Sequence, residues 1–344
     1  MEYPLDLENR KNNHININLH KDVNSSNTTG LKKFRLVHSA LPEINLDLVD
    51  TSTALFGKIL SMPLQISSMT GGTKTAQKLN RIFALAAETH QIAFGVGSQR
   101  MGIEYPEKMD NFKVRAIAPN AMVFANLGAV QLNYGFDESD CQRAVDEIGA
   151  DALILHLNPL QEALMEHGDT NFSGLLKRIE LVAKRINTPL IVKEVGWGIN
   201  RDIAKKLFNA GVSAVDIAGA GGTSWSQVEM HRAGDEHRKK VAEIFHVWGI
   251  PTADALIAAR DQNQKDLIFA SGGLVNGIDI VKCLALGANL CGMARPFLKY
   301  AARSSYALDR FIDVLKAQIR VAMFSIGALT IHQITRDLIT MQEN

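Results

Sequence analysis

The chain has 344 residues, and at roughly 150 residues per domain that admits one large domain, two ordinary ones, or a single (β/α) barrel with an extension. Lys plus Arg total 37 and Asp plus Glu 36, a net charge of +1. That balance excludes broad attraction to nucleic acid or to membrane surfaces, and 46% hydrophobic residues exclude wholesale disorder.

The opening residues, MEYPLDLENRKNNH, lack the apolar stretch of a secretory signal. No window approaches the ~20 apolar residues of a membrane span. Three cysteines, Cys141, Cys283 and Cys291, are too few and too scattered for a disulfide framework or a zinc knuckle; the last two stand in apolar runs and read as core. The expected setting is the cytoplasm. Residues 1–61 are Asn-rich and show no strand-helix alternation. They read as an N-terminal arm and lead-in loop, with Arg10, Lys11 and His14 as a basic cluster that is either a solvated turn or a second anion site.

From Met62 a short apolar run recurs, each followed by a segment with helical apolar spacing. The runs are Leu64–Ser67, Ile92–Gly95, Met122–Asn126, Ala152–His156, Leu190–Lys193, Ala214–Ala218, Leu267–Ala270 and Leu290–Met293. Every gap is long enough for the crossover that parallel strands need. Eight such units over residues 62–303 predict an α/β fold, a closed (β/α)8 TIM barrel. Residues 304–344 read as a C-terminal helical tail that covers the barrel or supports an oligomer. The longest gap, Gly219 to Asp266, is an insertion for the catalytic face.

In such a barrel, functional residues stand at the carboxyl ends of the strands. The first run leads into Met69-Thr70-Gly71, the second into Ser98-Gln99-Arg100, and the third ends at Asn126. In the fourth, the period of two puts Ala152, Ile154 and His156 on one face, so His156 points into the barrel mouth. Asn158, Gln161 and Glu162 follow, and these allow either a plain capped helix start or a ligand set. The fifth run ends in Lys193 behind three apolar residues, where an ammonium without a partner is costly to bury; a role toward an anionic or electron-rich ligand is expected. Glu194, of opposite parity, is expected to face outward or pair locally. Beyond the sixth run lies Thr223 in a Gly-rich turn. After the seventh come Gly272-Gly273-Leu274, and after the eighth Ala294-Arg295. The loops after strands seven and eight commonly form a phosphate site, and FMN is its usual occupant.

These strings together resemble the type 2, flavin-dependent isopentenyl diphosphate isomerases. The resemblance is carried by Arg10-Lys11-x-x-His14, HSALPEINL from His38, SSMTGG from Ser67, GVGSQR from Gly95 and ANLGAVQLNYG from Ala125. HLNPLQE from His156, VKEVG from Val192, AGAGGTSW from Ala218, and the later SGG and GMARPF complete it, to about Tyr300. It implies FMN in reduced form, Mg²⁺, NADPH as external reductant, and interconversion of isopentenyl and dimethylallyl diphosphate in isoprenoid biosynthesis by a homo-oligomer, tetramer or octamer. It assigns FMN to Met69, Thr70, Gly71, Ser98, Asn126, Lys193, Thr223, Gly272, Gly273, Leu274, Ala294 and Arg295. The diphosphate goes to Arg10, Lys11, His14, Ser98, Gln99, Arg100, His156, Asn158 and Gln161, and the metal to Glu162. Gln161, Lys193 and His156 are the implied catalytic residues. Two departures are visible, Trp197 where a small or polar residue is expected and Ser39 where Asn is common. The alternative is an FMN-dependent oxidoreductase on a related barrel; that chemistry normally needs a base or a nucleophilic thiol, and no cysteine follows a strand as a loop nucleophile.

Overall fold

A computed structural model of the chain describes residues 4–69, 71–261 and 265–342. The arm begins with helix α1 (Pro4–His20), followed by strand β1 (Phe34–Leu36) and a hairpin of β2 (Thr53–Leu55) and β3 (Lys58–Leu60). Eight parallel strands then close a barrel. They are β4 (Leu64–Ile66), β5 (Ala93–Gly95), β6 (Met122–Gly128), β7 (Ala152–Leu157), β8 (Leu190–Glu194), β9 (Ala214–Asp216), β10 (Leu267–Ser271) and β11 (Leu290–Met293). All eight fall on the apolar runs, displaced by no more than two residues at any end.

The helices that follow the strands are α2 (Lys74–His90), α3 (Arg100–Glu104), α4 (Glu138–Asp146), α5 (Pro159–Leu164), α6 (Leu175–Arg185) and α7 (Arg201–Asn209). The long insertion forms α8 (Trp225–Arg232) and α9 (Glu236–Glu243) before the crossover helix α10 (Thr252–Arg260). Helices α11 (Gly277–Ala285), α12 (Arg295–Ala301) and α13 (Ser305–Ser325) complete the set. None of the described helices is long and apolar enough to cross a membrane.

Alternation along the strands divides the core in two. Ala93, Met122, Phe124, Ala152, Ile154, Ile191, Ala214, Phe269 and Leu290 fill the barrel, and Leu55 and Leu60 of the hairpin close its floor. The outward residues, such as Leu153, Leu155, Val192 and Val215, join the helices in the larger cluster. Strand register sets the upper layer. Gly128 pairs with His156, His156 with Lys193, and Lys193 with Asp216, so three polar side chains end up level at the carboxyl mouth.

Two elements differ from the sequence reading. Residues 4–20 are helical, where a loop-like arm was expected: α1 lies against α8 and α12 rather than in solvent. The tail is α-helical only to Ser325; two short 3-10 turns follow, and its end returns as β12 (Ile339–Met341), pairing antiparallel with β1. Helix α13 itself buries Leu308, Ile312, Leu315, Ile319 and Met323, a three-four spacing, against α2, α11 and α12. Leu315→Ala is expected to cost about 2–5 kcal/mol through the cavity it leaves, read as a lowered midpoint in urea unfolding with unchanged slope.

Candidate active site

A cavity of about 610 Å³ opens at the carboxyl ends of the strands, within the usual size for a cofactor site. From the strand ends it is lined by Met69, Gly71, Ser98, Asn126, His156, Lys193, Thr223, Gly272, Gly273, Leu274, Ala294 and Arg295. The arm adds Arg10, Lys11 and His14, and α3 and α5 add Arg100, Asn158, Gln161 and Glu162. The structure thus gathers onto one cavity the residues that the sequence placed on nine separate segments. Thr70 lies outside the described residues.

Gln99 is the exception among them. It is fully buried in the barrel wall, donating through Nε2 to the Ala144 carbonyl (2.9 Å) and accepting from the Asn126 amide (2.9 Å). It braces its neighbours instead of lining the cavity. Arg295 lines the cavity, but its guanidinium donates to the carbonyls of Asn18 and Lys21 and to Asn24 Oδ1 (2.6 Å). It caps the C-terminal end of α1, where cations are favoured.

Lys193 is 9% exposed and its ammonium has an anionic neighbour after all. Nζ donates to the Glu194 carbonyl (2.8 Å) and lies 3.7 Å from Asp216 Oδ2 and 3.5 Å from Ser271 Oγ. Asp216, 1% exposed, also accepts from Ser271 Oγ (2.6 Å) and Gln65 Nε2 (3.1 Å). Asp216 and Gln65 went unread in the sequence, and Ser271 figured only within the SGG string; an acid closing the apolar strand Ala214–Asp216 was the available signal. Glu194 does pair locally, but buried: its carboxylate accepts from the amides of Gly196, Trp197 and Gly198, while burial pushes it up to about 7. Trp197 therefore helps to form the turn beyond Lys193.

His156 Nδ1 meets Asn126 Oδ1 at 2.8 Å, and Asn126 Nδ2 donates to the Val96 carbonyl. That orientation makes Nδ1 the protonated nitrogen and leaves Nε2 as an acceptor. Burial, with the nearby charges of Lys193 and Lys11, pulls the imidazole down to about 4. His156 is neutral at pH 7.

Asn158 precedes α5 but its side chain does not cap the helix. Its Nδ2 donates instead to Glu162 Oε1 (2.7 Å) and Gln161 Oε1 (3.3 Å), and the Asp169 amide donates to Glu162 Oε2 (2.8 Å). Burial raises Glu162 above the ordinary carboxylate range. Gln161 Nε2 donates to Glu229 Oε1 (3.1 Å), the same oxygen that meets His14 Nε2 at 3.1 Å, while Arg232 binds the other oxygen. Burial alone would raise Glu229, yet these partners hold it near 2. Glu229, on the insertion helix α8, offered no sequence signal beyond helical spacing from Trp225, whose ring packs edge-on against His14.

The donor set fits a flavin phosphate better than a bare surface would. At Gly272, φ is +102° and a Cβ would stand 2.0 Å from the Gly219 carbonyl oxygen, so only glycine lets the loops after β9 and β10 touch. Ser67 Oγ and Ser68 Oγ are buried beside the cavity with no hydrogen-bond partner among the described residues. For a metal, no group of three or more His, Cys, Asp or Glu occurs among the described residues. A single carboxylate, Glu162, beside the unpartnered Asn158 Oδ1 suits Mg²⁺, which is commonly held by one or two carboxylates together with substrate phosphates and water.

Residues 156–341 match the family model of FMN-dependent dehydrogenases. An isopentenyl-diphosphate delta-isomerase of Synechococcus sp. is 47% identical over 329 residues, covering 94% of each chain. One of Rickettsia canadensis is 45% identical, covering 96% of this chain and 97% of its own. Among solved structures, the flavin-binding domain of baker's yeast flavocytochrome b2 superposes with a TM-score of 0.69 at 17% identity, covering 95% of this chain and 82% of that one. A soluble mutant of Pseudomonas putida (S)-mandelate dehydrogenase gives 0.67 at 18%, covering 98% and 99%. At such identities the structural likeness speaks for the barrel alone.

A pH prediction follows from His156. An unfolded histidine titrates near 6.5, so between pH 7 and 5 the unfolded chain takes up a proton that the folded chain does not. The contribution of His156 to stability therefore falls by about 2 kcal/mol over that window, while the raised Glu194 carboxyl, which takes up its proton in the folded chain, works in the opposite direction. In urea titrations, the change in unfolding free energy from pH 7 to pH 5 is expected to be more favourable in His156→Asn than in the wild type by that amount; an equal change contradicts the assignment.

Proposed function

The chain belongs to the isopentenyl-diphosphate delta-isomerase family and is FMN-dependent, and we propose how its barrel mouth performs that isomerisation. The observation that carries the reading is the meeting in one cavity of arm cations, Arg10 and Lys11, with His156, Gln161 and Lys193 from the strand ends.

Moving the double bond requires a proton at one carbon and loss of another from a neighbour, without net redox change. The cationic character that develops must be kept from water and from loss of diphosphate. Reduced FMN, when bound, supplies an electron-rich face and a nitrogen able to exchange a proton. Met69, Gly71, Ser98, Asn126, Thr223, Gly272, Gly273, Leu274, Ala294 and Arg295 are the residues assigned to hold it, together with Thr70.

Lys193, 3.7 Å from Asp216, favours the anionic reduced flavin. Arg10, Lys11, His14, Ser98, Arg100, His156 and Asn158 are assigned to the diphosphate, with Gln99 acting behind them. The diphosphate's charge raises His156 from that low value, and in the protonated form Nε2 would donate to a phosphate oxygen. Glu162 would hold Mg²⁺, which neutralises the diphosphate while keeping several waters. Gln161 is the proton relay: ionised Glu229 turns its amide NH₂ outward and leaves the carbonyl end beside Asn158. Helix α1 excludes water by closing over the cavity with Ile15 and Asn18. NADPH serves as external reductant, and the protein works as a cytoplasmic homo-oligomer, tetramer or octamer.

The test is an anaerobic incubation with FMN, Mg²⁺, NADPH and isopentenyl diphosphate, followed for dimethylallyl diphosphate. Product formation is expected; a flavin-loaded protein that forms none, but oxidises a hydroxy acid, returns the oxidoreductase alternative. Lys193→Ala is expected to abolish turnover, and a wild-type rate in that variant removes Lys193 from the mechanism.

A further inference from the structure

Arg100 is the first residue of α3 and lines the cavity, but its charge is already matched. Nε donates to Glu104 Oε1 at 2.8 Å and Nη1 to Asp169 Oδ2 at 2.6 Å. The same Asp169 oxygen accepts from Nε2 of Gln131 at 2.9 Å. Gln131, 4% exposed, stands in the turn after β6 and also lines the cavity. Asp169 thus uses one oxygen to gather two cavity-lining donors, as a phosphate oxygen would.

The residue is built into place. It lies between α5 and α6, and its amide donates to Glu162 Oε2. The chain just before it presses so closely on α5 that a Cβ at Gly168 would stand 1.9 Å from the Glu162 carbonyl oxygen. Further along, Asn133 Nδ2 donates to the carbonyls of Asn171 and Ser173. The backbone of this loop is anchored on both sides, and the Asp169 side chain, 17% exposed, retains an edge toward solvent.

We infer that the Asp169 carboxylate is a resident stand-in for the substrate's diphosphate, occupying Arg100 and Gln131 in the resting protein and giving them up when a diphosphate binds. The inference rests on the assignment of Arg100 to the diphosphate, and it adds Gln131 to that seat. The Arg100–Asp169 pair keeps some contact with solvent, 22% and 17% exposed, and the cost of exchange is that of one charge-assisted hydrogen bond. The diphosphate prevails because it carries more charge and presents several oxygens to a forked guanidinium. Asp169 then re-forms its bonds as the product departs, which limits how tightly the diphosphate is held. Asp169 is a positioning residue in this account, and its effect on affinity is negative.

The experiment is isothermal titration of FMN-loaded protein with inorganic diphosphate, without Mg²⁺. Asp169→Asn and Asp169→Ala are expected to bind about tenfold or more tightly than the wild type, the size expected from relieving competition by a charge-assisted hydrogen bond. Arg100→Gln is expected to bind more weakly, and Gln131→Leu to reverse part of the gain in the Asp169→Asn background. A residue that only braced Arg100 would give the opposite sign. Equal or weaker binding in both Asp169 variants, with Arg100→Gln impaired, overturns the inference and leaves the diphosphate assignment standing. Unchanged binding in Arg100→Gln overturns both. Flavin absorbance in each variant confirms an intact barrel.

Discussion

A single buried carboxylate, Glu229, joins the parts of this site that the barrel does not itself connect. Its two oxygens receive His14 from the arm, Gln161 from α5 and Arg232 from its own helix. An ionised group at 3% exposure is tolerable only with such a full set of partners. Without it the arm would lose a buried anchor, Gln161 would be free to flip its amide, and α8 would lose its reason to lean over the cavity. Arg295 secures the far end of the same arm helix by capping it. The roof of the site is thus tied down by charged side chains, whereas its floor is fixed by strand register.

The floor shows why a closed barrel suits this chemistry. Parallel pairing brings His156, Lys193 and Asp216 to one level from three successive strands, and their spacing cannot drift without breaking the ladder. Within that row the environments diverge. Lys193 has an anion beside it, whereas His156 is held neutral by burial and by the adjacent cations. Two neighbouring basic side chains on one barrel rim thus sit in opposite surroundings, one beside a carboxylate and one beside cations.

Much of this was legible in the chain. Apolar runs of four or five residues, bounded by helical spacing, located every barrel strand, because a strand buried on both faces must be apolar throughout. Residues at the ends of those runs then had to line the mouth, which found His156 and Lys193. The arm helix was hidden because Asn-rich segments such as Arg10–Asn13 favour turns; contacts with α8 and α12 overrode that preference. Asp216, Glu229 and Asp169 were hidden for another reason. Each acts on a partner distant in sequence, and an acidic residue near a strand end or on a polar helix carries no mark of whom it will meet. Gln99 shows the converse: adjacency to Ser98 and Arg100 implied a shared role, but the turn of the chain sends its side chain into the wall.

The central claim is that this cavity moves protons on an allylic diphosphate and leaves no net oxidation behind. It is tested most directly by running the anaerobic reaction in D₂O with a limiting amount of NADPH and following deuterium by NMR. The account predicts deuterium in dimethylallyl diphosphate over many turnovers while NADPH consumption stops once the flavin is reduced. Product free of deuterium, or NADPH consumed in step with product, would contradict it.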